Sequence, residues 1–304
     1  MNKKQIDVIR SNVEGLILHG EPLSNHTSYK IGGRAEYMLC PESSDGAQWI
    51  YEFAKKESIP LTIIGAGSNI IVPDNGIDGI VLKLRNSSAP IVDAGGGRIL
   101  ADAGVILWDL ARETARMGLR GLEPVAGIPG TVGGAVYMNA GTKDGDIASL
   151  LEKVEVLTSR GRKRVFLKNE LSFGYRKSAL QGTNWLILRA QFKLKRGNPE
   201  QLKKIIEQIQ KERQSKFPLE VPSAGSVFKR PRGDYAGRLI EEAGCKGMKV
   251  GGASVSRSHA NFIINSGGAT ADDILKLISE VRRQVYDKFG IYLELEQELI
   301  DSVK

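Results

Sequence analysis

Two glycine-rich segments carry the clearest chemistry in the sequence. In 64–84, IGAGSNIIVPDNGIDGIVLKL, residues Gly65-Ala66-Gly67-Ser68-Asn69 follow one apolar run and lead directly into another. Glycine admits positive φ without steric cost, so consecutive peptide N–H groups can converge on an anion. Ser68 and Asn69 bring side-chain donors to the same concavity. In 123–141, EPVAGIPGTVGGAVYMNAG, Gly127, Gly130, Gly133 and Gly134 come just before a helical stretch. That order offers glycine amides and a helix N-terminus to a phosphate. Neither segment is a dinucleotide fingerprint, and neither carries the lysine of a phosphate loop. One such segment alone is most simply a set of tight turns. Two of them, each with apolar flanks, favour phosphate binding.

Other candidates are weaker on residue type alone. Arg176, in FGYRKS, has a planar fork suited to a carboxylate, yet it is one of 43 basic residues and an exposed position is the usual fate. Ser226, in AGSVFKRP, is a turn serine unless something makes its weak acidity useful. In IYLELEQEL (291–299), strand alternation puts Glu294, Glu296 and Glu298 on one face and Leu293, Leu295 and Leu299 on the other, which by itself reads as a solvated face. His19, His26 and His259 show no metal-ligand spacing, so no catalytic metal is expected. His259 reads as a structural hydrogen-bonder.

The elements that must position these residues follow from periodicity. Helical spacing marks 43–58, 106–118, AVYMNAG, 199–216, AGRLIEEAG and 269–290, and Asn198-Pro199 supplies a cap and a first-turn proline. Strands are expected at 61–65, 79–84, 185–195, 261–265 and 291–299, with a hairpin over 151–167. The order is mixed, an α+β arrangement and not regular βα alternation. Three contiguous domains are expected, at 1–84 (with 295–304 able to rejoin it), 85–216 and 217–294.

Composition narrows the class. With 41% hydrophobic and 26% charged residues among 304, the chain can build a sizeable core. It has 35 glycines where average usage gives about 21, and sixteen of them fall between Gly65 and Gly145. No apolar run of 18 residues or secretory h-region occurs, and Cys40 and Cys245 form no paired motif. A cytoplasmic protein without membrane insertion is expected. The net charge of +8 suits an anionic partner, but the basic residues are spread along the chain and no nucleic-acid module is recognisable.

GAGSNIIVPDNGIDGIVL and GIPGTVGGAVYMNAG resemble the paired phosphate-binding loops of flavoproteins related to vanillyl-alcohol oxidase. Within that group the chain is similar to the UDP-N-acetylenolpyruvoylglucosamine reductase (UDP-N-acetylmuramate dehydrogenase) family. The likeness extends through SYKIGGRAEY, FGYRKS, AGSVFKRP, GCKGMKVGGASVS, HANFIIN and LELEQEL, in the family's order. It implies a two-lobed FAD-binding fold of the vanillyl-alcohol-oxidase type plus a C-terminal α+β substrate-binding domain. It also implies non-covalent FAD, NADPH as co-substrate, and reduction of an enolpyruvyl ether on a UDP-sugar in peptidoglycan precursor synthesis.

Carried over residue by residue, the resemblance makes Gly65, Ala66, Gly67, Ser68, Asn69, Gly130, Thr131, Gly133 and Gly134 cofactor-binding. Ser226 becomes the proton donor, Arg176 the partner of the substrate carboxylate and enolate, and Glu296 a stabiliser of that enolate. Tyr175, Lys216 and Lys246 become substrate-binding, with Arg213 serving either ligand. Leu295 stands where the family's Leu-Glu-Pro-Glu ending has proline, so Glu296 is preferred to Glu294 by motif position. Only SALQGTNW follows the Arg176-Lys177 pair before the next strand, which fits the shorter-loop class of the family. A monomer is expected. The alternative is another FAD-dependent oxidase or dehydrogenase of the same fold acting on a different substrate.

Overall fold

The computed structural model describes residues 1–85, 90–217 and 220–300, with side chains at 214–216 outside that description. Contacts divide the chain into two compact units. The first comprises 1–19, 37–66 and 79–212, and the second 20–36, 67–78 and 213–304.

The first unit holds a five-stranded antiparallel sheet in the order Lys163–Leu167, Leu151–Leu157, Leu186–Lys193, Arg98–Asp102, Ile91–Gly95. The expected hairpin is present, turned at Gly161 with φ +69°. The helix Leu107–Arg116 buries Leu107, Leu110, Ala111, Thr114 and Ala115, a three-and-four spacing that presents one stripe to the core. Val132–Met138 joins the same core, which is filled by Val105, Val136, Val154 and Phe192. A smaller cluster forms around the helix Ser44–Lys56, where Ala47, Ile50, Tyr51 and Ala54 are buried as their spacing predicts. Leu61–Ile64 runs parallel to Ile77–Lys83 there, in a four-stranded sheet completed by Arg34–Pro41 and Gly15–Pro22.

The second unit packs two helices, Ala236–Glu242 and Ala271–Phe289, on a three-stranded sheet of Lys249–Val250, Ala253–Val255 and Ile263–Asn265. The long helix shows its signals plainly. Thr270 and Asp273 form a capping box, Gly290 closes the end at φ +67°, and Ile274, Leu277, Ile278, Val281 and Val285 are buried. Each of those side chains contributes roughly 1.5–3 kcal/mol of burial before conformational entropy is subtracted. Asp74 accepts from the amides of Ala271 (2.8 Å) and Asp272 (3.1 Å), so a distant loop completes the cap.

One expected strand is much shorter than its pattern. Within 291–299 only Glu298–Leu299 forms a ladder, parallel to Ile70–Ile71, with one isolated bridge between Leu295 and Phe228. Leu293 and Gln297 are buried while Leu299 is 48% exposed, so the inward face ends on an amide and not on a leucine. The reason is the partner: a two-residue edge pairing cannot hold nine residues in one register.

Candidate active site

The first glycine loop leaves the strand Leu61–Ile64 and is shaped by close approach. A Cβ on Gly65 would lie 2.6 Å from Thr131 Oγ1. Gly67 has φ +71°, and a Cβ there would lie 2.0 Å from the carbonyl oxygen of His26. Any side chain at Gly67 therefore displaces backbone. Among the described residues, the N–H groups of Gly65, Ala66 and Gly67 make no hydrogen bond. These are donors a bound phosphate would satisfy.

The second loop is built differently. Thr131 caps the helix Val132–Met138, its Oγ1 accepting from Gly134 N at 3.3 Å. Val132 N donates to Val105 O (2.8 Å), Gly133 N to Ala103 O (2.9 Å), and Gly130 O accepts from Leu107 N (3.0 Å). The amides of Gly133 and Gly134, expected to face a phosphate, are thus committed within the chain. Gly133 is required by packing, since a Cβ there would meet Ala103 Cβ at 2.9 Å. Gly133→Ala should accordingly lower stability by about 1–3 kcal/mol through overpacking, read as a fall in urea midpoint.

Arg176 is the second loop residue of a two-residue turn closed by mutual bonds between Gly174 and Lys177, at 3.0 and 3.1 Å. Its φ of +52° is unusual for a side-chain-bearing residue and costs about 1–3 kcal/mol, a strain concentrated at functional sites. The turn is gripped from outside. Asn139, itself left-handed at the end of Val132–Met138, donates to Gly174 O (2.8 Å) and Asp146 Oδ2 (3.2 Å) and accepts from Ala148 N (2.9 Å). Arg176 Nη2 donates to Gly141 O at 2.8 Å, and its guanidinium lies 5.1 Å from the Tyr175 ring centroid. Tyr175 is exposed. Nothing in the spacing of MNAG marks Asn139 for this role at the turn, because its partners Asp146, Ala148 and Gly174 lie further along the chain.

In the second unit, Ser226 and Glu296 come together. Ser226 bridges Phe262 in an antiparallel contact, and Glu296 N donates to Val227 O at 2.8 Å. Asn69 Nδ2 donates to Glu296 O at 3.1 Å, which places Asn69 beside Glu296 in the same unit. Ser226 and Glu296 are both half-buried. Glu294 pairs with Lys229 at 3.4 Å and is exposed, whereas Glu296 is half-buried.

Burial holds the Glu298 carboxyl above its ordinary value, with Lys229 pulling the other way. A raised folded-state value means that its contribution to stability is fully present below about 4.5 and lost as pH rises through the folded value. Glu298→Gln should therefore raise the urea midpoint at pH 8 and leave it nearly unchanged at pH 4.

Lys216 ends the helix Pro199–Lys216, but its side chain lies outside the described residues. Lys246 is half-buried and pairs with Glu241 at 2.6 Å. The Arg213 guanidinium lies 4.9 Å from the Phe217 ring centroid, and Phe217 in turn stacks near His259 and Phe262. Burial holds His259 below its usual value, so its ring is neutral at pH 7. Its Nδ1 is buried without a partner among the described residues, so an aromatic cluster holds this ring where a hydrogen-bonding role was expected.

A family model described as "FAD binding domain" matches residues 35–166, and one described as "UDP-N-acetylenolpyruvoylglucosamine reductase, C-terminal domain" matches 217–300. The sequence is 44% identical over 287 residues to a UDP-N-acetylenolpyruvoylglucosamine reductase of Caldanaerobacter subterraneus subsp. tengcongensis, covering 94% of each chain. It is 41% identical over 306 residues to UDP-N-acetylenolpyruvoylglucosamine reductase 2 of Bacillus cereus, covering 100% of each. Among solved structures, the UDP-N-acetylenolpyruvylglucosamine reductase of Thermus caldophilus matches with a TM-score of 0.79 and 37% identity, over 95% of this chain and 100% of that one. Alkyldihydroxyacetonephosphate synthase shares the fold over 64% of this chain and 41% of its own, with a TM-score of 0.51 and 18% identity. The fold is the expected one, a vanillyl-alcohol-oxidase-type FAD-binding fold with a C-terminal α+β domain. With these likenesses running the length of the sequence, the chain belongs to the UDP-N-acetylenolpyruvoylglucosamine reductase family.

Proposed function

We propose that this chain uses NADPH and non-covalent FAD to reduce the enolpyruvyl ether of UDP-N-acetylenolpyruvoylglucosamine to the lactyl ether of UDP-N-acetylmuramate. The observation that carries the reading is the match to reductases of that name over 94% or more of the chain. Nothing favours another flavoenzyme of the same fold.

The residues present fit the cofactor at the first glycine loop, where the uncommitted amides of Gly65, Ala66 and Gly67 suit its diphosphate, with Ser68 and Asn69 beside them. Thr131, packed against Gly65, and Gly133, packed against Ala103, shape the neighbouring wall, with Gly130 and Gly134 flanking them in the chain. FAD, when bound there, would supply the hydride chemistry that links NADPH to the β-carbon of the alkene. The protein's task is the charge and proton that this leaves. Arg176 holds the substrate carboxylate, onto which negative charge spreads, with a cation that stays charged in a closed site. Ser226 Oγ donates the proton to the α-carbon, and among the described residues no hydrogen bond ties that hydroxyl elsewhere. Glu296, half-buried beside it, supplies a hydrogen bond to the enolate. Tyr175, Lys216 and Lys246 bind the sugar nucleotide, the lysines at its diphosphate.

Among the described residues Cys40 and Cys245 form no disulfide, and no helix is long and apolar enough to cross a membrane. A monomer in the reducing cytoplasm fits both. The test is product analysis. Incubation with NADPH and the enolpyruvyl sugar should give a UDP-sugar that has gained two hydrogens, with one NADPH consumed per product. NADPH consumption that does not depend on the sugar would contradict the reading.

A further inference from the structure

Ser226 is approached through a weak point in the chain. Gly225, immediately before it, sits at φ +75°, and nothing lies within 4 Å of where its Cβ would be. Packing does not hold this turn, and glycine has the widest backbone freedom of any residue. Two buried side-chain amides do hold it. On the far side, Asn261 pairs with both backbone groups of Phe228, accepting from its N–H at 3.0 Å and donating to its C=O at 2.9 Å. On the near side, Gln297 Nε2 donates to Ala224 O at 3.2 Å and reaches Gly225 O at 3.5 Å. Gln297 Oε1 accepts from the hydroxyl of Tyr29 at 3.1 Å. Gln297 is 3% exposed and Tyr29 fully buried, so each end of the amide is spoken for in a setting where an unmade bond is costly.

We infer that Gln297, locked by Tyr29, is a positioning residue for Ser226. It touches neither cofactor nor substrate in this account. It fixes the two carbonyls before Ser226, while the peptide next to it, Glu296 N, donates to Val227 O just after Ser226. The serine is thereby bracketed on both sides by one short stretch of chain, which also sets its distance from Glu296. The alternation in LELEQEL gave no hint of this, because glutamine at an inward position has no meaning until its partners are known.

The inference rests on Ser226 as proton donor, and the experiment separates the two. Gln297→Leu keeps the volume and removes the bonds to Tyr29, Ala224 and Gly225. The holoenzyme variant should be reduced by NADPH at its normal rate and re-oxidised by the enolpyruvyl sugar roughly 10–100-fold more slowly, the scale of an ångström-sized misplacement. The Michaelis constant for the sugar should hardly move. In a Ser226→Ala background the same substitution should cost less than about twofold, because its route of action is already gone. Tyr29→Phe, which removes only one hydroxyl, should slow re-oxidation about fivefold and lose that effect in the same background, and it decides the matter if Gln297→Leu does not fold. Equal losses with and without Ser226, or unimpaired re-oxidation in both single variants, would overturn the positioning role. A Ser226→Ala enzyme that re-oxidises normally would instead remove the proton-donor reading on which it stands.

Discussion

Ser226→Ala should leave reduction of the flavin by NADPH close to its normal rate and slow its re-oxidation by the enolpyruvyl sugar about 10²–10⁴-fold. The reaction has two separable halves, and only the second delivers a proton to carbon. A hydroxyl is a poor acid in water, but the enolate left by hydride transfer is a strong base, so the match is workable. The substitution removes one oxygen from a half-buried position bridged by backbone to Phe262, so folding and flavin content should hold. Cysteine should restore part of the lost rate, since a thiol also carries a proton. Stopped-flow absorbance under argon resolves the halves.

Arg176→Lys should lower turnover with the sugar about 10–10²-fold, the worth of charge-assisted hydrogen bonds that a point charge cannot reproduce. Nη2 donates to Gly141 O at 2.8 Å, so one arm of the guanidinium is anchored to the protein, and its planar fork and fixed charge suit a carboxylate. Lysine has one ammonium to divide between those tasks. Its left-handed backbone at φ +52° is set by the turn and by Asn139, so the loop itself should survive. NADPH should still reduce the flavin normally. An equal fall in both half-reactions would mean that Arg176 supports the fold and not the substrate.

The sequence announced its local structure well where one signal sufficed. The Thr270 cap, the apolar stripe from Ile274 to Val285 and the closing Gly290 are all local, and the helix Ala271–Phe289 appears as its spacing predicts. The glycine loops were legible as sites of unusual backbone but not in their division of labour. Gly65 and Gly67 keep uncommitted amides, whereas Gly133 and Gly134 spend theirs on Ala103 and Thr131. The partner of Gly133 lies thirty positions away, which no spacing records, whereas that of Gly134 is the local cap Thr131. Long-range partners account for the other surprises. Asn139 grips the Arg176 turn, Asp74 caps a helix nearly two hundred residues on, and Gln297 meets Tyr29 across 268 positions. The expected strand over 291–299 failed for the same reason, because its register is set by only two residues, Ile70 and Ile71.

The central claim is that this chain carries electrons from NADPH to an enolpyruvyl UDP-sugar through a bound flavin. The visible spectrum of the purified holoenzyme under argon tests it in one cuvette. The account predicts a yellow protein that bleaches on addition of one equivalent of NADPH. It further predicts that one equivalent of UDP-N-acetylenolpyruvoylglucosamine restores the colour, with UDP-N-acetylmuramate formed in equal amount. A reduced flavin that stays bleached with that sugar, and recovers only when oxygen or another acceptor is admitted, would contradict it.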